Sequence, residues 1–416
     1  MAADQASKVV ETVFRMEQAR LIAGLARLLR DITLAEDLAQ DALVIALEAW
    51  PETGVPDNPG AWLMAVARRR AIDRLRRRRM RSRKLAEIGQ EPAPAAPEIE
   101  ATLDDDLGDE LLALIIAACH PVLAPEARAA LTLRLIGGLT TDEIGRAFLT
   151  SETTIAQRIV RAKKTLARAE LRFEVPRGAE RIARLSSVLG VIYLIFNEGY
   201  AATAGEDLIR PALCAEALRL GRILAGALPN EAEVAGLLAL MELQASRLNA
   251  RTDEHGALVP LPEQNRARWD WLLIHRGLAA LARAQALGGA GGPYALQAAL
   301  AACHASARRP EDTDWPRIAA LYDALREVLP SPVVDLNRAV AHSMAFGPET
   351  GLRLLATVEA SPALRRYAPL PAAKGDFLLR AGRPAEARAA FEHAAALTHN
   401  ARERAFLLAR AAACDG

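Results

Sequence analysis

The sequence predicts an all-α protein built from several domains. Three observations lead there. Ala, Leu and Arg dominate the composition, while aromatic residues make up only 4%. No segment alternates apolar and polar residues with the period of two that a half-buried strand needs. Apolar residues recur instead at helical spacing between capping signals. At 416 residues the chain exceeds one ordinary domain, so two to four are expected, and 51% hydrophobic content lets each bury a core.

Several classes fall away early. The longest apolar runs, Leu111–Cys119 and Val188–Phe196, have nine residues each, against about 20 for a membrane span. The first residues, Met1 to Phe14, carry acids and no apolar stretch, unlike a signal peptide. Cys119, Cys214, Cys303 and Cys414 are scattered and read as thiols in a reducing cytoplasm. None of the seven histidines forms a metal-ligand spacing, so neither metal nor cofactor is expected.

The net charge of +1 hides an uneven distribution. Up to Lys84 there are 16 Lys/Arg against 11 Asp/Glu; from Ala86 to Glu110 there are nine acids and no base; from Leu111 to Arg172 there are nine bases against five acids. Two basic modules joined by an acidic tether suit two separated contacts with a polyanion.

The first module spans residues 8–84. Thr33-x-x-Glu36 reads as a capping box, followed by a stripe of Leu38, Ala42, Ile45 and Ala49, with Asp37, Gln40, Asp41 and Val44 off it and Pro51 as the stop. Asn58-Pro59 starts a second helix carrying Trp62, Leu63, Val66, Ala67, Ala71 and Leu75. Trp62 sits near the apolar stripe and is read as core. From Arg68 to Lys84 this helix holds 11 Lys/Arg in 17 residues, with Asp73 the only acid. Such a run is also compatible with a solvated face or a disordered arm. Growing from an anchored amphipathic helix, it aligns its guanidinium groups along one rod for phosphate neutralisation.

Residues 85–110, with Pro92, Pro94, Pro97 and Asp104 to Asp106, read as an acidic flexible linker. The second module, 111–172, has a helix from Pro125 to Gly137-Gly138, a capping box at Thr140-x-x-Glu143, a turn at Leu149-Thr150 and Ser151 capping a further helix. Ile155, Ile159, Ala162 and Leu166 form its apolar stripe. Short helix, tight turn, then a helix with a polar and basic outer face is the helix-turn-helix pattern, although an ordinary helical hairpin reads similarly. In the groove-binding reading Thr153, Thr154, Gln157 and Arg158 reach base edges, while Arg161, Lys163 and Lys164 face phosphates.

The remainder, 178–416, is Ala/Leu-rich. Gly375, Gly382, Ala387, Phe391 and Ala394 fit tetratricopeptide-repeat spacing, and a 35-residue shift aligns Gly347 with Gly382 and Leu352 with Ala387. Three polar segments stand out: Phe196–Tyr200, Arg251–Gly256 and Gln264–Trp271. Each reads either as a loop closed by turn residues or as the lining of a ligand or partner site. Asn197, Glu198, Gly199, Tyr200 and Asp253 are the candidate regulatory residues.

Ala35-Glu36-Asp37-Leu38-Ala39-Gln40-Asp41-Ala42, Asn58-Pro59-Gly60-Ala61-Trp62-Leu63 and Ala67-Arg68-Arg69-Arg70-Ala71-Ile72-Asp73-Arg74-Leu75-Arg76 together resemble the second conserved region of extracytoplasmic-function (ECF) sigma factors. Leu131–Leu135, Gly138–Ile144 and Ala156–Lys163 resemble the fourth. The resemblance implies that Asp37, Gln40, Asp41 and Val44 bind the beta-prime clamp helices of core RNA polymerase. It further implies that Asn58, Arg68, Arg69, Arg70, Arg74 and Arg76 recognise and help melt the −10 promoter element, and that the second module reads the −35 element beside the beta flap. The extension is similar to that of a subgroup with a C-terminal repeat domain, sharing Cys119-His120-Pro121 and Asn197-Glu198-Gly199-Tyr200. Such factors lack an obvious anti-sigma gene, which implies control in cis, with a protein partner for the extension as one route.

Two other readings stay open. A helix-turn-helix regulator with a repeat-type sensor would not need the Asp37/Gln40/Asp41 helix. An enzyme or ligand-binding activity in the extension would lack a phosphate-binding glycine loop and a nucleophile elbow, and Cys119 and His120, adjacent on a helix, would point about 100° apart.

Overall fold

The computed structural model describes residues 2–87, 107–148, 150–169, 173–200, 209–254, 257, 259–398 and 401–415. It is helical, with no strand among the described residues. The helices are α1 (Ala2–Leu29), α2 (Ile32–Thr53), α3 (Pro59–Glu87), α4 (Leu107–Ala118), α5 (Pro125–Leu135), α6 (Thr141–Ala147), α7 (Glu152–Arg168), α8 (Gly178–Tyr200), α9 (Pro211–Ala227), α10 (Ala232–Ala245), α11 (Trp271–Ala286), α12 (Pro293–Ser306), α13 (Trp315–Val328), α14 (Pro332–Phe346), α15 (Pro348–Ala356), α16 (Pro369–Arg380), α17 (Pro384–Leu397) and α18 (Ala401–Ala412). They divide into two compact units, Met1–Val191 and Ile192–Gly416, so the boundary falls inside α8. Most of the expected acidic linker, residues 88–106, lies outside the described residues, as do His255, Gly256 and Leu258; α4 already begins at Leu107.

In the first unit α1, α2 and α3 pack on one another. Leu21, Ile22, Leu25 and Ala26 of α1, Ala35, Leu38, Ala39, Ala42 and Ala46 of α2, and Leu63, Ala67, Ala71 and Leu75 of α3 are buried. The alanine-rich face of α2 lets the backbones approach closely, and the α1 leucines fill what remains. Trp62 is half-buried with its edge on buried Trp50, ring centroids 5.4 Å apart, as a packing residue should be.

Three local expectations for α2 are corrected. Its N-cap is Asp31, whose carboxylate accepts from Leu34 N at 3.1 Å; Thr33 and Glu36 form no capping box because Glu36 is turned into the protein. The buried stripe follows Ala35, Leu38, Ala39, Ala42, Ala46 and Trp50, leaving Ile45 and Ala49 only half-buried. Pro51 does not stop the helix. It sits in the last turn, where few hydrogen bonds remain to lose, and Gly54 (φ +82°) ends the helix by donating to Trp50 O.

The second module follows its local signals. Thr140 and Glu143 form the reciprocal capping box, with Thr140 Oγ1 accepting from Glu143 N at 3.1 Å and Thr140 N donating to Glu143 Oε2 at 2.8 Å. Ser151 caps α7 by accepting from Thr154 N at 3.2 Å, and Ile155, Ile159, Ala162 and Leu166 are all buried. The α6–α7 turn closes through Thr150 N donating to Gly145 O at 2.9 Å. A Cβ on Gly145 would lie 2.9 Å from Thr150 O, so only glycine allows this close approach. Helix α4 packs on α1, where Arg27 pairs with Glu110 at 3.4 Å, so both modules belong to one unit.

The second unit stacks successive helix pairs around small clusters of buried side chains. Glycines that the sequence aligned with a 35-residue shift occupy matching positions in it. Gly347 and Gly382 have φ of +94° and +74°, each just before a proline-initiated helix, and Gly375 lies against the Phe391 ring, where a Cβ would come within 2.8 Å.

Gly145→Val is expected to lower the stability of the helix-turn-helix by about 1–3 kcal/mol, because the new side chain must push the Thr150 carbonyl away. Chemical denaturation of the full chain, followed by hydrogen exchange of α5 to α7, checks it.

Candidate nucleic-acid interface

Helices α2 and α3 form a groove of about 930 Å³ lined by Asp31, Asp37, Asp41, Arg70, Asp73, Arg74 and Arg77 among others. This groove brings together side chains that the sequence assigned to two different partners. Arg70 Nη1 donates to Asp41 Oδ2 at 2.9 Å, with both side chains nearly half exposed. A pair this wet contributes about 0–1 kcal/mol and exchanges readily for another partner. Asp37 and Val44 are exposed, and Gln40 and Asp41 are half-buried. Arg68, Arg69, Arg70, Arg74 and Arg76 are exposed, while Ala67, Ala71 and Leu75 anchor the helix beneath them. Asn58 is the N-cap of α3: its Oδ1 accepts from Ala61 N at 3.1 Å, so that oxygen is already occupied.

On α7, Thr153, Thr154, Gln157, Arg161 and Lys164 are exposed and Arg158 is half-buried. Thr154, Gln157, Arg158 and Arg161 line one groove with Val122, Leu123 and Ala124 of the α4–α5 turn and Ala127 of α5. That turn is fixed by Arg128, which donates to Leu123 O (2.7 Å), Pro121 O (3.0 Å) and Ser187 Oγ (3.0 Å). Ser187 in turn donates to Cys119 O at 2.5 Å, tying α8 to this turn within the same unit.

Lys163 stands apart from its neighbours. Its Nζ is ion-paired with Glu36 Oε2, and Glu36 Oε1 accepts from Arg134 Nε at 3.0 Å. Glu36 is 7% exposed. One carboxylate of the first module thus holds two cations of the second, and in this arrangement Lys163 does not face outward. Sequence reasoning missed Glu36 and Arg134 as functional positions. The signal was present: Glu36 interrupts the stripe that Ile32, Ala35 and Ala39 define, and an acid on a buried face needs a partner.

In the second unit the candidate residues behave individually. Asn197 to Tyr200 form the last turn of α8, not a loop. Glu198 is ion-paired with Arg210. Gly199 is a packing residue, since a Cβ would meet Cys214 N at 2.7 Å. Tyr200 receives Arg247 Nη2 on its hydroxyl at 3.1 Å and Arg251 on its main-chain oxygen. Asp253 closes its own loop, accepting from Ala257 N at 2.7 Å. Arg268 Nη1 donates to Thr252 O at 3.3 Å and Gln264 Nε2 to Val259 O at 3.1 Å. The three polar segments singled out in the sequence therefore meet.

Cys119 and His120 follow the end of α4, and His120 Nδ1 accepts from Val122 N at 3.0 Å. Burial pushes the Cys119 thiol up to about 12 despite its contact with Thr132 Oγ1, and burial does the same at Cys214. Thiols so raised hold their protons at neutral pH, which is the opposite of an activated nucleophile.

Residues 13–81 match Sigma-70 region 2, residues 113–166 match Sigma-70, region 4, and residues 184–285 match a family of unknown function (DUF6596). The ECF RNA polymerase sigma factor SigK of Mycobacterium ulcerans is 31% identical over 145 residues, 34% of this chain and 74% of that protein. Its Mycobacterium bovis BCG counterpart is 29% identical over 153 residues, 36% of this chain and 79% of that protein. The chain belongs to the ECF RNA polymerase sigma factors. It is a sigma factor of the sigma-70 family with a C-terminal helical extension; it binds core RNA polymerase and promoter DNA and directs transcription initiation. An uncharacterised protein of Rhizobium meliloti is 42% identical over 391 residues, 93% of this chain and 91% of that protein, so the likeness includes the extension. No described helix is long and apolar enough to cross a membrane.

At pH 8 Cys119 and Cys214 are expected to resist iodoacetamide in the native chain and to react only on unfolding, because their raised pKa leaves almost no thiolate below about pH 10. Mass spectrometry of native and denatured samples checks this.

Proposed function

We propose that this sigma factor reads the −35 element with Thr153, Thr154, Gln157 and Arg158, tracks phosphates with Arg161 and Lys164, and opens the −10 element along the α3 arginines. Asp37, Gln40, Asp41 and Val44 meet the beta-prime clamp helices, and the second module lies beside the beta flap. The observation that carries the groove assignment is the outward N-terminal face of α7, capped by Ser151 and packed by its opposite stripe. Base edges are read by such a face, whereas residues one or two turns further along the helix meet the backbone.

The Glu36 ion pairs add a conformational condition. Promoter elements about 25 base pairs apart are separated by roughly 85 Å at 3.4 Å per pair. A compact unit of this size has a radius of gyration of roughly 16 Å. The two modules therefore part before both elements are engaged, releasing Lys163 to join Lys164 on phosphate. The extension acts in cis on this factor and contributes no catalysis.

In transcription assays with core polymerase, Arg158→Ala is expected to relax −35 sequence preference, whereas Lys164→Ala weakens all sequences alike; identical effects overturn the groove assignment. Glu36→Ala, tested by fluorescence anisotropy of the free chain on promoter duplex, is expected to raise affinity roughly 5- to 30-fold, corresponding to about 1–2 kcal/mol of closed-state stabilisation removed. Unchanged affinity would mean the ion pairs do not restrain DNA binding.

A further inference from the structure

Three arginines of the second unit lie on neighbouring segments with no acidic partner among the described residues. Arg247 follows α10, Arg251 follows the 3₁₀ turn Leu248–Ala250, and Arg266 lies in the 3₁₀ turn Arg266–Arg268. Arg251 lies 3.8 Å from the centroid of the Tyr200 ring while bonding that residue's main-chain oxygen, and Arg247 Nη2 holds the Tyr200 hydroxyl at 3.1 Å. Arg266 Nη1 donates to His304 O at 2.7 Å and to Ala307 O, with its guanidinium carbon 4.6 Å from the centroid of the Trp269 ring. Its Nε is buried without a partner. Neutral oxygens and ring faces hold these groups; none is ion-paired with a carboxylate among the described residues. Elsewhere in the same unit arginines do have acids: half-buried Arg210 has Glu198 and the more exposed Arg222 has Glu242 at 2.9 Å.

The Leu248–Ala250 turn packs on the Arg266–Arg268 turn, and Arg247 and Arg251 share Tyr200, so the three positive charges act on one another. Burial and then Arg247 pull Arg251 below its ordinary range, although Tyr200 opposes this. Burial and then the same Arg247 lower Arg266, while Asp312 and Glu311 act on it in the opposite direction without forming an ion pair. Burial, Arg247 and Arg266 push His304 down to about 4. Uncompensated cations in a partly desolvated place are costly unless an anion completes them.

We propose that Arg247, Arg251 and Arg266 form a binding site for a phosphate-type oxyanion in the extension. Guanidinium forks match the oxygens of phosphate, and three forks from three segments suit a compact dianion better than a monocarboxylate. All three side chains are half-buried, which favours a small molecule, either free phosphate or the phosphoryl group of a small metabolite. This site stands independently of promoter recognition, so its test needs neither polymerase nor DNA.

Isothermal titration of the full chain at constant ionic strength uses inorganic phosphate, glycerol 3-phosphate and acetate. Saturable binding of phosphate or glycerol 3-phosphate, with none for acetate, is expected; the tighter of the two identifies free phosphate or a phosphomonoester as the source. Arg247→Gln and Arg251→Gln should each weaken binding about tenfold or more, while Arg268→Gln, on the same 3₁₀ turn, leaves it unchanged. Arg247→Lys keeps the charge but loses the fork, and should also weaken binding if Arg251→Gln fails to fold. No saturable binding of either phosphate probe, or equal affinity in the parent chain and Arg247→Gln, overturns the proposal.

Discussion

A carboxylate facing inward has to be answered by a cation, and Glu36 is answered by two, Arg134 and Lys163. Much of the first unit depends on that requirement. It pins α2 against α5 and α7, and it withdraws one lysine from the otherwise outward basic face of α7. Removing one partner of such a group strands the other, so the three residues act together and not as separate pairs. The same logic separates this cluster from Arg70 and Asp41, whose exposed pairing contributes little.

Local chemistry was legible in the sequence wherever it was decided by neighbours along the chain. The Thr140/Glu143 box, the Ser151 cap and the α7 stripe involve residues a few positions apart, and all three are present. The Thr33/Glu36 box has the same pattern and is absent, because a contact almost a hundred residues away, with Arg134, took Glu36. Pro51 shows a milder version: the proline signal is real, but the helix was nearly over and tolerated it for two more residues. The spacing of Gly347 and Gly382 pointed to stacked helix pairs, since positive φ before a proline-led helix is a local demand.

The extension was harder to read for a physical reason. Asn197, Glu198, Gly199 and Tyr200 are consecutive, yet they do four different jobs. Asn197 bonds Tyr193, Glu198 pairs with Arg210, Gly199 admits α9, and Tyr200 organises two arginines. Only the fold brings this turn to Arg247, Arg251 and the Arg266–Arg268 turn. Among the charged residues there, the acids mostly have local duties and the arginines do not, a difference visible only in three dimensions.

In the proposed mechanism the closed pair of modules, held by Glu36, opens when promoter is engaged. It is tested most directly by a distance. With the native cysteines replaced by serine, spin labels at Glu52→Cys on α2 and Ala167→Cys on α7, both exposed positions, report the separation of the modules by pulsed electron resonance. A single short distance is expected in the free chain, lengthening by tens of ångströms in the complex with core polymerase and promoter DNA, on the scale of roughly 85 Å between elements. The same short distance in both states would contradict the account.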